Sequence, residues 1–195
     1  MAREPQYVQQ FKKFARGDPT ADDLPRLEAE IYGTNDRARA VMLGAVVELS
    51  LELFLKSRRR PSLNAEDTRE MFEYTGPLGT FASKILIGYA FNWYGPETRK
   101  DLTLIRTLRN EFAHSRRSFD FESETVAKVC ANLQSPDWPG SFIPKSYLEL
   151  VRDETAHDKQ HPRTRYISAC HTLSERLFQH AGVIRLSGAA LPDLS

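Results

Sequence analysis

The chain is short of several things, and each shortage removes a class of explanation. Two cysteines in 195 residues, Cys130 and Cys170, offer no disulfide framework, and a reducing cytoplasm is the compartment this implies. No stretch approaches the roughly 18 consecutive apolar residues of a membrane span, so no membrane partner is expected. The opening Met-Ala-Arg-Glu-Pro-Gln has no apolar signal region. Neither sign of charge is in excess: 27 Lys and Arg stand against 26 Asp and Glu, a net charge of +1. No global field therefore favours nucleic acid, and any such binding has to rest on a local patch. Alternating strand patterns and internal repeats are missing. So are a glycine-rich phosphate loop, a Gly-x-Ser-x-Gly elbow and a cysteine with a catalytic partner.

What is present is helical periodicity. After a weak amphipathic segment at 4–16, ending at Gly17-Asp18-Pro19, a short helix is expected at 25–32 between Pro25 and Gly33. The strongest helix spans about 36–56, where Ala38, Val41, Met42, Ala45, Val46, Leu49 and Leu53 recur at three- and four-residue spacing. Arg58, Arg59 and Arg60 complement its C-terminal dipole, and Pro61 stops it. A loop and short helix follow over 62–74, capped by Asn64 or Ser62. A helix at about 78–93 then buries Leu78, Phe81, Ile85 and Tyr89. Helices at 97–116, 122–133, 145–153 and 163–181 complete the pattern. The expectation is an all-α protein, an up-and-down bundle of the helices at 36–56, 78–93, 97–116 and 122–133. Further N- and C-terminal helices should pack around it. The chain then reads as one helical domain over 1–195: a core bundle at about 35–135, a C-terminal helical extension at about 144–181 and a loose tail at 182–195.

The segment from Asp101 to Ser115 has two chemically different faces. At about 100° per residue, Ile105, Leu108 and Phe112 form a core stripe. Arg106, Asn110, His114 and Arg117 fall on roughly the opposite side, and Arg109 stands five residues before His114. Asp101-Leu-Thr-Leu-Ile-Arg106 followed by Arg109-Asn-Glu-Phe-Ala-His114 resembles the signature of the mannitol operon repressor (MltR-like) family. Gly76-Pro-Leu-Gly-Thr-Phe-Ala-Ser-Lys-Ile85, Gly88-Tyr-Ala90 and Phe119-Asp-Phe121 resemble the same family, over roughly residues 35–135. The resemblance implies an all-α fold and a regulatory role, with repression of sugar-alcohol utilisation. More distantly, Arg-x4-His is similar to the motif of HEPN domains, many of which are metal-independent ribonucleases, and that resemblance implies an active site shared across a dimer.

Two chemistries compete for these residues. A ribonuclease needs a proton carrier, for which His114 is suited, and a cation for the developing phosphorane charge, for which Arg109 is suited. On an ideal helix, however, a five-residue separation splays the pair by about 140°. In the other reading Arg109 and Asn110 meet acids on neighbouring helices such as Glu48 and Glu52, His114 caps a helix end, and Arg106, Asn110 and Arg117 make a binding or self-pairing surface. A homodimer with a protein partner is expected. Direct sequence-specific DNA binding is not, because no helix-turn-helix with a basic recognition helix is legible. RNA enters only if Arg109 and His114 are catalytic. No cofactor is expected. His157-x3-His161 has metal-ligand spacing, but Pro162 disfavours one helix through both and no further ligand completes a set, so no metal is expected.

Overall fold

The structure, a computed structural model, describes residues 5, 6, 10, 23–151 and 154–182. Apart from residues 5, 6 and 10, the expected segment at 4–16 lies outside the described residues, as does the tail beyond Gly182. Eight α-helices and no strand occur among the described residues, so the protein is an all-α bundle. They are α1 (Asp23–Gly33), α2 (Asp36–Ser57), α3 (Ala65–Phe72), α4 (Phe81–Ala90), α5 (Pro96–His114), α6 (Glu124–Ala131), α7 (Lys145–Leu150) and α8 (Pro162–His180).

Local chemistry sets the boundaries. Asn35 caps α2 by accepting from Ala38 N at 2.9 Å, and Asn64 caps α3 by accepting from Asp67 N at 2.7 Å. The helix expected from residue 78 begins at Phe81 instead. Thr80 and Ser83 form a capping box there, each side chain bonding the other's backbone N–H, which fixes the start of α4 after the Gly76–Gly79 turn. Asn92 ends the region with φ 56°, a left-handed conformation that asparagine tolerates. Pro96 then opens α5 at its first turn.

The packing corrects two sequence expectations. First, α8 is a central helix and not an extension around a finished bundle. Its residues from Thr164 to Cys170 are all buried, and its broadest contact is with α2. Arg163 bonds Asp36 (2.9 Å) and the Tyr166 hydroxyl donates to the Ala40 carbonyl (2.8 Å) at one end, while Phe54 meets His180 edge-on at the other. The two helices therefore run in the same direction. Meanwhile α5 runs opposite, since Arg37 donates to the Ser115 carbonyl (3.1 Å) and Arg109 reaches Glu48 further along. A helix buried all round yet rich in Thr, Ser and Arg needs polar partners inside. Arg165 supplies many of them, donating to the carbonyls of Cys130 and Leu133 and to the Asp137 carboxylate. Ser168 donates to Phe142 O (3.0 Å) and Arg176 to Pro139 O (2.7 Å).

Second, the apolar repeat read along α2 marks its outer side. The core side carries Ala40, Leu43, Gly44, Val47, Leu51, Phe54 and Leu55, all buried. Val41, Met42, Val46 and Leu53 are only partly buried, and Ala45 and Leu49 are exposed. α2 is apolar on both sides, so three- and four-residue spacing fits either. By contrast, Ile105, Leu108 and Phe112 of α5 are buried as their spacing requires.

Candidate functional site

The constellation on α5 sits where α5 crosses the glycine of α2. Gly44 lets the backbones approach so closely that a Cβ there would stand 2.6 Å from Arg109 Cβ. Arg109 is thereby pinned against α2. Its guanidinium donates to Glu48 Oε2 (3.2 Å) and to Asn110 Oδ1 (2.9 Å). Glu48 in turn accepts from Lys84 Nζ (3.1 Å), Lys84 bonds Glu52 (2.8 Å), and Glu52 accepts from Lys56 (2.6 Å). Five charged side chains from α2, α4 and α5 thus alternate in sign along one seam. Lys84, at 4% exposure, lies deepest. Burial raises the Glu52 carboxyl, but the bonds from Lys56 and Lys84 outweigh it and hold the group below its ordinary range.

The remaining members of the stripe are open. His114 is exposed at the last turn of α5, and its side chain makes no hydrogen bond or ion pair among the described residues. α5 remains helical through His114, with Ser115 as C-cap, so within one chain Arg109 and His114 keep the splay of about 140°. Arg106 is partly exposed and Arg117 exposed, and neither side chain has an anionic partner among the described residues. Arg37, on the seam edge of α2, spends its fork on the carbonyls of Ser115 and Arg117, which leaves its charge unneutralised. The structure therefore joins Arg109 to Asn110, places Arg117 beside Arg37, and leaves Arg106 and His114 free on the α5 surface.

Two strips lie side by side on this face. Along α2 run Arg37, Val41, Ala45 and Leu49, with Glu48 and Glu52 at the seam, and along α5, in the opposite direction, run Arg106, Asn110 and Ala113. Arg117 lies in the loop just beyond the C-terminus of α5, and so off the helical stripe expected from the sequence. Leu49 is 45% exposed and Ala45 and Ala113 are exposed, so the middle is apolar and the α5 flank cationic. Sequence reasoning found the α5 strip and named Glu48 and Glu52, but it missed Lys84. The available signal was a single lysine at i+3 from Phe81 among Phe81, Ile85 and Gly88, on a face otherwise apolar.

Other polar and aromatic groups of the chain lie apart from this seam. His157 is exposed at a 3₁₀ turn, whereas His161 precedes α8 with Nε2 3.7 Å from Glu122, so no single helix carries both. Among the described residues no group of three His, Cys, Asp or Glu is arranged to hold a metal. Arg58, Arg59 and Arg60 are exposed. Tyr94 is buried and donates to Ile85 O (2.7 Å), with Trp93 edge-on to Phe54. Asp101 is buried and accepts the backbone N–H groups of Gln134 (3.0 Å) and Ser135 (2.7 Å), tying α5 to the loop after α6. Burial raises its carboxyl above the ordinary value although those donors pull it down. Among the described residues no helix is long and apolar enough to cross a membrane.

No family model matches the chain, and neither a curated protein nor a solved structure matches it.

Proposed function

We propose that the protein is a cytoplasmic regulator of the mannitol-repressor type, acting as a dimer through protein contacts and not through a DNA-reading helix. The observation that supports action through protein contacts is the α2–α5 face. A partly exposed apolar strip beside cations that have no acidic partner among the described residues suits a protein interface, where apolar area gives affinity and arginines give orientation. Arg109, the cation a nuclease would need, is bound to Glu48 and Asn110 instead. The near-zero net charge also argues against a nucleic-acid surface.

Deleting the gene should change transcript levels of sugar-alcohol uptake and oxidation genes, while the isolated protein should show no tight, sequence-specific binding to their promoters in a gel-shift assay. Tight specific binding would overturn the claim of action through protein contacts. A monomeric mass in solution at micromolar concentration would remove the dimer.

One observation favours a second reading, a metal-independent ribonuclease. His114 is exposed and unengaged at a helix end, as a proton carrier must be. Its splay from Arg109 requires the second catalytic group to come from another protomer. Cleavage of mixed-sequence RNA in excess EDTA that disappears in a folded His114→Ala variant would establish this reading. Absence of cleavage in both proteins supports the regulatory one.

A further inference from the structure

Among the described residues the outer side of α2 is left partly open, with Ala45 and Leu49 exposed and Val41 half-buried, and its surroundings narrow what could cover it. Val41, Ala45 and Leu49 stand at i, i+4 and i+8, with Met42, Val46 and Leu53 on the far flank. From Arg37 to Glu52 the strip is about 22 Å long at the helical rise per residue, roughly four turns. Beside it α5 runs antiparallel to α2, with Lys84 of α4 closing the seam at Glu48 and Glu52. That arrangement accepts a third helix, whose own apolar stripe would lie over Ala45 and Leu49.

Charge decides between occupants. The cations Arg37, Arg106 and Arg117 have no carboxylate partner among the described residues. The carboxylates of the seam, Glu48 and Glu52, are already held by Arg109, Lys84 and Lys56. A second copy laid isologously on this face would present the same free arginines to the same free arginines, with no acid released to meet them. Bare RNA would satisfy the arginines but would leave Val41, Ala45 and Leu49 against phosphate and sugar. We infer that this face docks an acidic, amphipathic helix of a partner protein, with apolar residues over Ala45 and Leu49 and carboxylates reaching Arg106, Arg117 and Arg37. This assignment rests on the proposal of regulation through protein contacts and names the chemistry of the contact.

The test is selection from a display library of helical peptides of about 16 residues, the length of the strip, panned against the full chain. The expected winners carry apolar residues at three- and four-residue spacing and an excess of Asp and Glu. Binding of a labelled winner should fall by at least about tenfold on Arg106→Glu and on Leu49→Asp, and should weaken with added salt. The exposed Arg60→Glu, remote from the strip, should leave it unchanged. Circular dichroism and melting of each variant separate lost binding from lost folding. Winners without acidic bias, no enrichment, or winners that bind both variants as tightly as the parent would overturn the inference. So would a dimer that falls to monomer in Leu49→Asp, which would assign the face to a second copy, or displacement of the winners by RNA. The reading beneath fails separately: unchanged transcripts in the deletion strain, or RNA cleavage that needs His114, would remove regulation whatever the peptides show.

Discussion

Replacing Gly44 by alanine probes the seam on which Arg109 rests, and the sign of the effect carries the information. In an open helix position the change stabilises by about 1 kcal/mol, because alanine has the better helix propensity. At Gly44 the new Cβ would lie 2.6 Å from Arg109 Cβ, 2.7 Å from Arg109 Cγ and 3.3 Å from the Tyr166 hydroxyl. Arg109 Cβ is fixed to its own backbone, so rotating the side chain does not relieve the nearest contact. α2 and α5 must part, or the helix must shift. Such overpacking costs about 1–3 kcal/mol. Set against the propensity gain, a net loss of up to about 2 kcal/mol is expected. Urea unfolding with unchanged m-value is the assay. Gly33→Ala is the control, since no atom lies within 4 Å of a Cβ at that position. Arg109→Ala should not rescue Gly44→Ala, since it keeps the Cβ that clashes. A gain in stability for Gly44→Ala would refute the close approach, and with it the placement of Arg109.

Three further perturbations have defined outcomes. Lys84→Met should destabilise by about 3 kcal/mol, because it leaves Glu48 and Glu52 partly buried without their shared cation, whereas Arg60→Met, on an exposed side chain, should stay within about 0.5 kcal/mol; equal urea midpoints would contradict this. Asp101→Asn should cost about 1–2 kcal/mol, because one carboxylate oxygen that accepts from Gln134 becomes an NH₂ facing the same N–H and the charge that strengthens the bonds from Gln134 and Ser135 is lost. An unchanged melting curve would show that the carboxylate is not what holds that loop. His171, which accepts or donates at 2.6 Å to the Tyr32 hydroxyl, is held neutral by burial, its pKa depressed from 6.5 to about 4. The unfolded chain then binds the extra proton first as pH falls below 6.5. Stability present above that pH is therefore lost down to about pH 4, by at most about 3 kcal/mol. In His171→Phe that portion of the pH dependence should vanish, and parallel pH profiles for the two proteins would show that His171 is not the group responsible.

Much of the architecture was legible because helix ends carry local chemistry. Asn64, Pro96 and Pro162 stand where helices start, and the core stripe of α5 has only one apolar side to offer. α2 defeated the same logic. With apolar residues all round, its periodicity could not say which side faces inward, and the inner side even includes Arg39 and Ser50, both buried. Arg39 is accommodated by Asp36 and by the carbonyls of Tyr32 and Thr34. α8 was hidden for the opposite reason. Thr164, Arg165, Ser168, Thr172, Ser174 and Arg176 read as surface, yet all are buried, several of them against loop carbonyls that sequence alone does not bring near. At the candidate site, helical spacing was enough to separate Arg106, Asn110 and His114 from the core stripe. It could not show that Arg109 turns toward Glu48, because that depends on α2 and α5 meeting at Gly44.

The most direct test of regulation through the α2–α5 face is complementation of a deletion strain with four alleles of the full chain: parent, Leu49→Asp, Arg106→Glu and His114→Ala. Transcripts of the sugar-alcohol genes are read by quantitative PCR, and equal protein levels are checked by blotting. The expected result is full regulation by the parent and by His114→Ala, with regulation lost in Leu49→Asp and Arg106→Glu. Regulation that survives both surface changes but disappears in His114→Ala would contradict it, and would move the functional chemistry from the face of α2 to the histidine of α5.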